Sequence, residues 1–130
     1  ENRHTLHQRI DVRLSDMIAQ GFLDEAMALL MDTRLDRKMP AMRCVGYRQA
    51  FDLLAELQTQ GITFADLSAD QQQAFITTWH TKGAAATRQL AKRQLTWLRA
   101  MKQRHIVAME APNAMQDVCD WACRRLATPT

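Results

Sequence analysis

Hydrophobic residues recur along much of the chain with the spacing of an α-helix. The first such stripe comprises Leu6, Ile10, Leu14, Met17 and Ile18. Spacings of three and four residues place side chains on one helical face, and Gly21 suits the end of this helix. The same reasoning, continued along the chain, predicts five helices over residues 3–20, 22–32, 44–60, 69–102 and 112–127.

Residues between these helices predict where each helix ends and the next begins. The charged stretch 32–42 predicts a loop, and residues 61–70 predict a connector. Ser68 and Gln71 have the spacing of a capping box, in which each side chain satisfies an unpaired N–H at a helix start. Gly83 weakens the long fourth helix by about 1 kcal/mol relative to alanine. A bend or break at this glycine is therefore one expectation.

The run 104–109, with Ile106 and Val107, predicts a short strand. It is too short to form a sheet alone, so its partner strands would have to lie elsewhere. We therefore expect a mostly α fold with one short strand near residues 104–109.

Composition limits the class of protein without naming a function. The 130 residues suit one modest domain or a piece of a larger one. The net charge of +3 is only mildly basic, so a nucleic-acid partner has to be argued from the positions of the charges. With no secretory signal and no apolar run long enough for a bilayer, we expect a cytoplasmic chain with no membrane contact.

Candidate metal and catalytic groups are few. The three cysteines, Cys44, Cys119 and Cys123, lack the spacing of a zinc site, so we expect buried free thiols and no metal. The four histidines show no ligand spacing, and neither a Ser-His-Asp arrangement nor a Walker loop is present. This pattern argues against an enzyme that acts alone.

Charge is distributed unevenly along the fourth helix. From Gln71 to Met109 there is no Asp or Glu, whereas seven residues are Lys or Arg. Four of these cations fall in one helical stripe: Arg88, Lys92, Arg99 and Lys102. The opposite side, which we expect to be buried, carries Leu90, Trp97 and Met101. Because like charges on one face repel, this pattern favours a polyanionic partner such as a phosphate backbone over a merely soluble basic face.

Two arginine-containing segments are further candidates. Residues 43–48 place two arginines around a glycine and Tyr47 at a loop-to-helix junction, where a helix start can bind an anion and an aromatic ring can stack on a base. Such a glycine and a half-buried tyrosine also occur for packing alone. Arg9 and Arg13 lie one helical turn apart, and a surface ion pair between Arg13 and Asp16 would explain Arg13 without any function.

Two segments resemble signatures of the bacterial tRNA dimethylallyltransferases. They are residues 86–99 and 43–49, and they follow matches at residues 6–10, Arg13, Met17 and residues 21–22 in the family's order. The resemblance covers nearly the whole chain. This family transfers a dimethylallyl group from dimethylallyl diphosphate to the exocyclic amine of the adenine next to the anticodon, with magnesium, and the base has to leave its stack to react.

The resemblance implies roles for particular residues. Arg13 matches an arginine at the diphosphate, where a cation would stabilise charge on the leaving group. Arg88 offers an additional phosphate contact. The residues that match segments in contact with the tRNA anticodon stem-loop are Arg43, Cys44, Val45, Gly46, Tyr47, Arg48, Lys92, Arg93, Gln94, Leu95, Thr96, Trp97, Leu98 and Arg99.

The chain also departs from the family pattern. The family's P-loop and its general-base Asp lie upstream of anything that matches, so the resemblance implies the helical C-terminal part of a P-loop α/β fold, inactive by itself, with the magnesium ligands elsewhere. The spacing from Arg48 to Arg88 is longer than the family's, with the excess in residues 59–80. Two alternatives remain, namely a helical RNA-binding adaptor without catalysis and an interaction module whose basic face meets an acidic protein.

Overall fold

The computed structural model describes residues 3–108 and 111–127. Its helices are α1 (Arg3–Ala19), α2 (Phe22–Met31), α3 (Tyr47–Thr59), α4 (Ala69–Ala100) and α5 (Ala114–Ala127). Two short 3-10 turns, Ala41–Arg43 and Phe64–Asp66, lie in the connections before α3 and α4. The mostly α fold expected from the sequence is confirmed. Every helix of the described ranges is too short or too polar to span a lipid bilayer.

The predicted strand near residues 104–109 is wrong for residues 104–108, which have no regular secondary structure. Residue 109 lies outside the described residues. Within residues 3–108 and 111–127 no other strand occurs, so the backbone of this segment has no ladder to join. Instead, the ring of His105 stacks on Trp121 of α5, with centroids 5.3 Å apart.

Two large aromatic side chains, Trp79 and Phe51, are fully buried at the centre of the core. α1 packs against α4, while α3 packs against both α2 and α4. Phe22 of α2 contacts the Trp79 ring at a centroid distance of 4.8 Å. Three helices therefore surround the first half of α4.

α4 runs through Gly83 without a break. Gly83 is buried, and a methyl group placed there would lie 3.7 Å from the two Cδ atoms of Leu14. Leu14 of α1 packs against this position, and packing across the contact between α1 and α4 offsets the poor helix propensity of glycine. The expectation of a break at Gly83 is wrong for this reason.

The start of α4 is set by side-chain hydrogen bonds. Ser68 Oγ accepts from the backbone N–H of Gln71 at 3.3 Å, and Gln71 Oε1 accepts from that of Ser68 at 2.9 Å, which confirms the predicted capping box. Just before it, the Asp66 carboxylate accepts hydrogen bonds from the backbone and hydroxyl of Thr63, each at 2.7 Å. These bonds, led by the backbone one, lower the pKa of Asp66. The connection between α3 and α4, which lies in the long segment between Arg48 and Arg88, is therefore held by hydrogen bonds.

The second half of α4 is exposed. Trp97 is 65% exposed and Met101 is 43% exposed, whereas Leu90 is half-buried. The prediction that one face of α4 is buried is thus wrong beyond Leu90, because none of the described elements covers residues 92–100. The three cysteines are free and exposed, so the expectation of buried thiols is also wrong.

Candidate functional site

The loop-to-helix junction at residues 43–48 is anchored through Gly46. This glycine has φ 96° and ψ −63°, a backbone conformation that side chains disfavour. Its N–H donates to Gln49 Oε1 at 2.8 Å, and its carbonyl accepts from the indole Nε1 of Trp79 at 3.0 Å. Both polar groups of one buried residue are therefore tied to the core, which fixes the direction in which the flanking arginines leave it.

Tyr47 connects α3 to α2. Its hydroxyl donates to Glu25 Oε1 at 2.9 Å, and its ring contacts Phe22 at a centroid distance of 4.9 Å. Burial, followed by the hydrogen bond to Glu25, raises the pKa of the Tyr47 hydroxyl. These contacts give Tyr47 a packing role, while base stacking by this ring stays a prediction.

The arginines of this junction line a shallow groove of about 380 Å³. Arg43 and Arg48 are both exposed, as is Cys44, whereas Val45 is half-buried. Sequence reasoning missed two further cations of the same groove. The complete lining is Arg37, Lys38, Met42, Arg43, Arg48, Phe51 and Asp52. We call this set the basic groove.

Arg37 and Lys38 were missed because they lie in a charged loop that also contains acidic residues, a pattern typical of a solvated connection. The loop is ordered by Asp36, whose carboxylate accepts from the N–H of Lys38 at 2.8 Å and whose carbonyl accepts from that of Met39 at 2.8 Å. Only the fold brings this turn beside the first turn of α3. The one sequence signal was the density of cations just before residue 43.

Within the basic groove, one cation is paired and the others are not. Arg37 Nη2 lies 2.8 Å from Asp52 Oδ1, with both side chains about half exposed. Among the described residues, the side chains of Lys38, Arg43 and Arg48 have no hydrogen-bond or ion-pair partner. Three uncompensated cations therefore share one concave surface.

The second candidate surface is the distal half of α4, from Lys92 to Arg99. All eight of its residues are exposed, including the predicted tRNA-contacting Gln94, Leu95, Thr96 and Leu98. Within the described part of the chain, Lys92, Arg93 and Arg99 have no side-chain partner. Cations and apolar side chains thus stand side by side here.

Arg88 differs from these free cations. Its Nη2 lies 2.7 and 2.8 Å from the two carboxylate oxygens of Asp11, which ties α4 to α1. Its Nε is buried and, in the described structure, unpaired. A phosphate contact by Arg88 stays a prediction, and it would have to compete with Asp11.

Arg13 is exposed on α1. Among the described residues it forms no ion pair with Asp16, so that structural explanation for Arg13 is not supported. The basic groove has neither Arg13 nor any α4 residue in its lining.

A second cavity, about 420 Å³, lies between α1 and α4 and has Ser15, Thr77 and His80 in its lining. The described residues contain no group of three or more His, Cys, Asp or Glu that could hold a metal ion.

Comparison with known proteins identifies a set of relatives. A family model described as IPP transferase matches residues 1–101. The tRNA dimethylallyltransferase of Albidiferax ferrireducens is 46% identical over 118 residues, which are 91% of this chain and 29% of the relative. The enzyme of the same name from Acidovorax sp. strain JS42 is 44% identical over 113 residues, covering 87% of this chain and 30% of the relative.

A further tRNA dimethylallyltransferase, from Paracidovorax citrulli, is 41% identical over 130 residues. The match covers 99% of this chain and 34% of that protein. The chain therefore spans about a third of the length of the curated relatives that it matches.

Proposed function

This chain belongs to the IPP transferase family, and we propose that it is part of a tRNA prenyltransferase. The proposed reaction moves a dimethylallyl group from dimethylallyl diphosphate to the exocyclic amine of the adenine next to the anticodon. The chain's own contribution is to bind the anticodon stem-loop and to place Arg13 at the diphosphate. The observation that carries this proposal is the exposed, acid-free distal half of α4 in a chain whose relatives are named for tRNA.

Charge supports the tRNA-binding role. Lys92, Arg93 and Arg99 lie within about two turns of one helix, and their mutual repulsion is not compensated by any acidic residue between Gln71 and Met109. A phosphate backbone would offset that repulsion and release counterions on binding. Arg43 of the 3-10 turn and Arg48 of the first turn of α3 flank the hydrogen-bonded Gly46 and add a second point of contact.

Arg13 has the properties that its proposed role requires. In the transfer, the adenine amine forms a bond to the first carbon of the prenyl chain while the bond from that carbon to the diphosphate oxygen breaks. The leaving diphosphate takes up the electron pair, and an exposed guanidinium beside it would stabilise the charge that develops. The amine proton goes to a base that we assign, together with the magnesium site, to the rest of the longer protein, since this chain spans only about a third of its relatives' length.

Exposed apolar side chains support a further partner. They are concentrated in the distal half of α4, the segment after it and α5: Leu95, Trp97, Leu98, Met101, Ile106, Met115, Val118 and Leu126. Exposed apolar surface of this extent is typical of an interface. We assign the apolar surface after α4 and on α5 to contact with the P-loop part of the longer protein, which would leave residues 92–99 free to contact tRNA.

The proposed reaction is tested by measuring prenylation of tRNA by two proteins. One is the longer protein that contains this chain, and the other is the chain alone. We expect the former to prenylate tRNA from dimethylallyl diphosphate and the latter to bind tRNA without turnover. Arg13→Ala in the longer protein should slow single-turnover transfer by roughly a hundredfold or more while tRNA affinity changes far less. Lys82→Ala, which removes an exposed cation elsewhere, is the matched control. Turnover by the chain alone, or equal losses of rate and affinity for Arg13→Ala, would contradict the proposal.

RNA binding is tested separately by removing two α4 cations. For Lys92→Ala/Arg99→Ala, the slope of log affinity against log salt concentration should fall by roughly 0.7–0.9 for each phosphate that the variant no longer neutralises. An unchanged slope would remove the distal half of α4 from the interface. Binding without any turnover by the longer protein would favour the non-catalytic RNA adaptor instead.

A further inference from the structure

We propose that the basic groove binds a phosphodiester of the RNA backbone, with Arg37 and Lys38 as contacts outside the two segments, 43–49 and 86–99, that resemble the family's signatures. Asp52 positions Arg37 and at the same time weakens the groove's attraction for phosphate. This inference rests on the proposed tRNA-binding function and extends it to the loop 32–42, in which the sequence analysis named no candidate residue.

The groove gathers cations from two parts of the chain. Arg37 and Lys38 come from the turn before the 3-10 segment, whereas Arg48 comes from the first turns of α3. Asp52 is the single carboxylate among the described lining residues. The repulsion between like charges that share a concave surface is relieved when a phosphate enters it.

Both walls of the groove are held rigidly. On one side, Asp36 closes a turn that fixes the backbone of Lys38. On the other, Gly46 is bonded to Gln49 and Trp79. Rigid walls reduce the ordering cost of binding, because fewer rotatable bonds have to be frozen when the ligand arrives.

The floor of the groove is apolar. Met42 and Phe51 are 6% and 1% exposed, respectively. A low-dielectric wall behind a set of cations concentrates their field on the open side. The groove therefore attracts an anion that approaches from solvent, as an RNA backbone does.

The Arg37–Asp52 pair allows a test that is specific to this groove, namely the effect of neutralising Asp52 on RNA affinity. Both side chains are about half exposed, and exposed pairs of this kind contribute little to stability. Asp52→Asn should therefore leave the fold intact while it removes a negative charge that faces the phosphate. A purely structural Asp52 would not increase RNA affinity when it is neutralised.

The experiment measures binding of the 130-residue chain to an anticodon stem-loop RNA at several salt concentrations. Lys38→Ala should weaken binding roughly three- to tenfold and lower the salt slope by about 0.7–0.9. Asp52→Asn should strengthen binding roughly twofold or more. The matched controls are Lys82→Ala for the removed cation and Glu56→Gln for the removed carboxylate, since Glu56 is exposed one turn further along α3 and does not line the groove.

The outcomes separate this inference from the proposed function. Unchanged affinity in Lys38→Ala and Asp52→Asn, with weaker binding in Lys92→Ala/Arg99→Ala, overturns the basic groove alone. No salt-dependent RNA binding by the unaltered chain overturns both proposals. Inorganic pyrophosphate is titrated separately, and binding that is lost in Lys38→Ala but leaves the RNA affinity of the unaltered chain unchanged would make the groove a diphosphate site and overturn its assignment to the RNA backbone.

Discussion

The two halves of α4 have the same backbone conformation and opposite surroundings. In the first half, Phe75, Trp79 and Gly83 are buried against three other helices, whereas every residue from 92 to 100 is exposed. Both halves keep the regular hydrogen bonds of one continuous helix. Helix formation and helix burial are therefore separate outcomes in this chain, and the residues proposed to bind RNA lie where burial is absent.

The largest expected difference between the halves concerns two tryptophans. Trp79→Ala should destabilise the chain by about 3–5 kcal/mol, because it removes a fully buried ring and the donor to the Gly46 carbonyl. Trp97→Ala should change stability by less than about 0.5 kcal/mol, as is usual for exposed sites. Urea unfolding of both variants gives the comparison. Similar destabilisation by the two would mean that the distal half of α4 is packed against something in the isolated chain.

Two glycines should respond in opposite directions. Gly46→Ala forces a side chain onto φ 96°, with an expected cost of about 1–3 kcal/mol. Gly83→Ala meets only an ordinary contact, 3.7 Å from Leu14, and should stabilise α4 by up to about 1 kcal/mol through its helix propensity. Thermal and urea unfolding decide the signs. A destabilising Gly83→Ala would show that α1 lies too close to α4 to admit a methyl group.

The smallest effect concerns Tyr47, the only tyrosine in the chain. Tyr47→Phe removes the hydrogen bond to Glu25 and should cost about 0.5–1.5 kcal/mol at neutral pH. Because the folded state raises the pKa of Tyr47 above 10.0, its stabilisation is present below about pH 10 and is lost as the pH rises through the folded pKa. The cost of Tyr47→Phe should therefore shrink in alkali.

Ultraviolet titration of this single tyrosine provides the check. Its midpoint should lie above 10.0 in the folded chain and move back towards that value in concentrated urea. Equal midpoints in the two states would mean that Tyr47 is not packed between α2 and α3 in solution.

Local features of the fold could be predicted because they depend on neighbouring residues. The apolar stripe through Ile10 and Leu14 and the capping box at Ser68 involve residues no more than a few positions apart, and their geometry follows from the helix itself. The strand at residues 104–108 failed for the converse reason, since a strand exists only with a partner and the described chain offers none. The break at Gly83 failed because a contact with Leu14 outweighs a local propensity.

In the candidate site, too, some residues could be predicted from the sequence and others only from the fold. Arg43, Arg48 and the cations from Lys92 to Arg99 stood out because each group is continuous in sequence. Arg37 and Lys38 did not, since their surroundings include Asp36 and only the fold places them in a groove with Arg48. Arg88 belonged to the basic stripe by spacing, but a carboxylate 77 residues away in sequence binds it.

The order of residues alone thus determined the helical nature of the chain, its family signatures and the absence of acidic residues from residue 71 to residue 109. Tertiary structure decided which helical faces are buried, which cations remain unpaired and where the basic groove lies. The physical reason is distance along the chain. Helix propensity, capping and periodicity act between near neighbours, whereas burial and ion pairing depend on residues that only folding brings together.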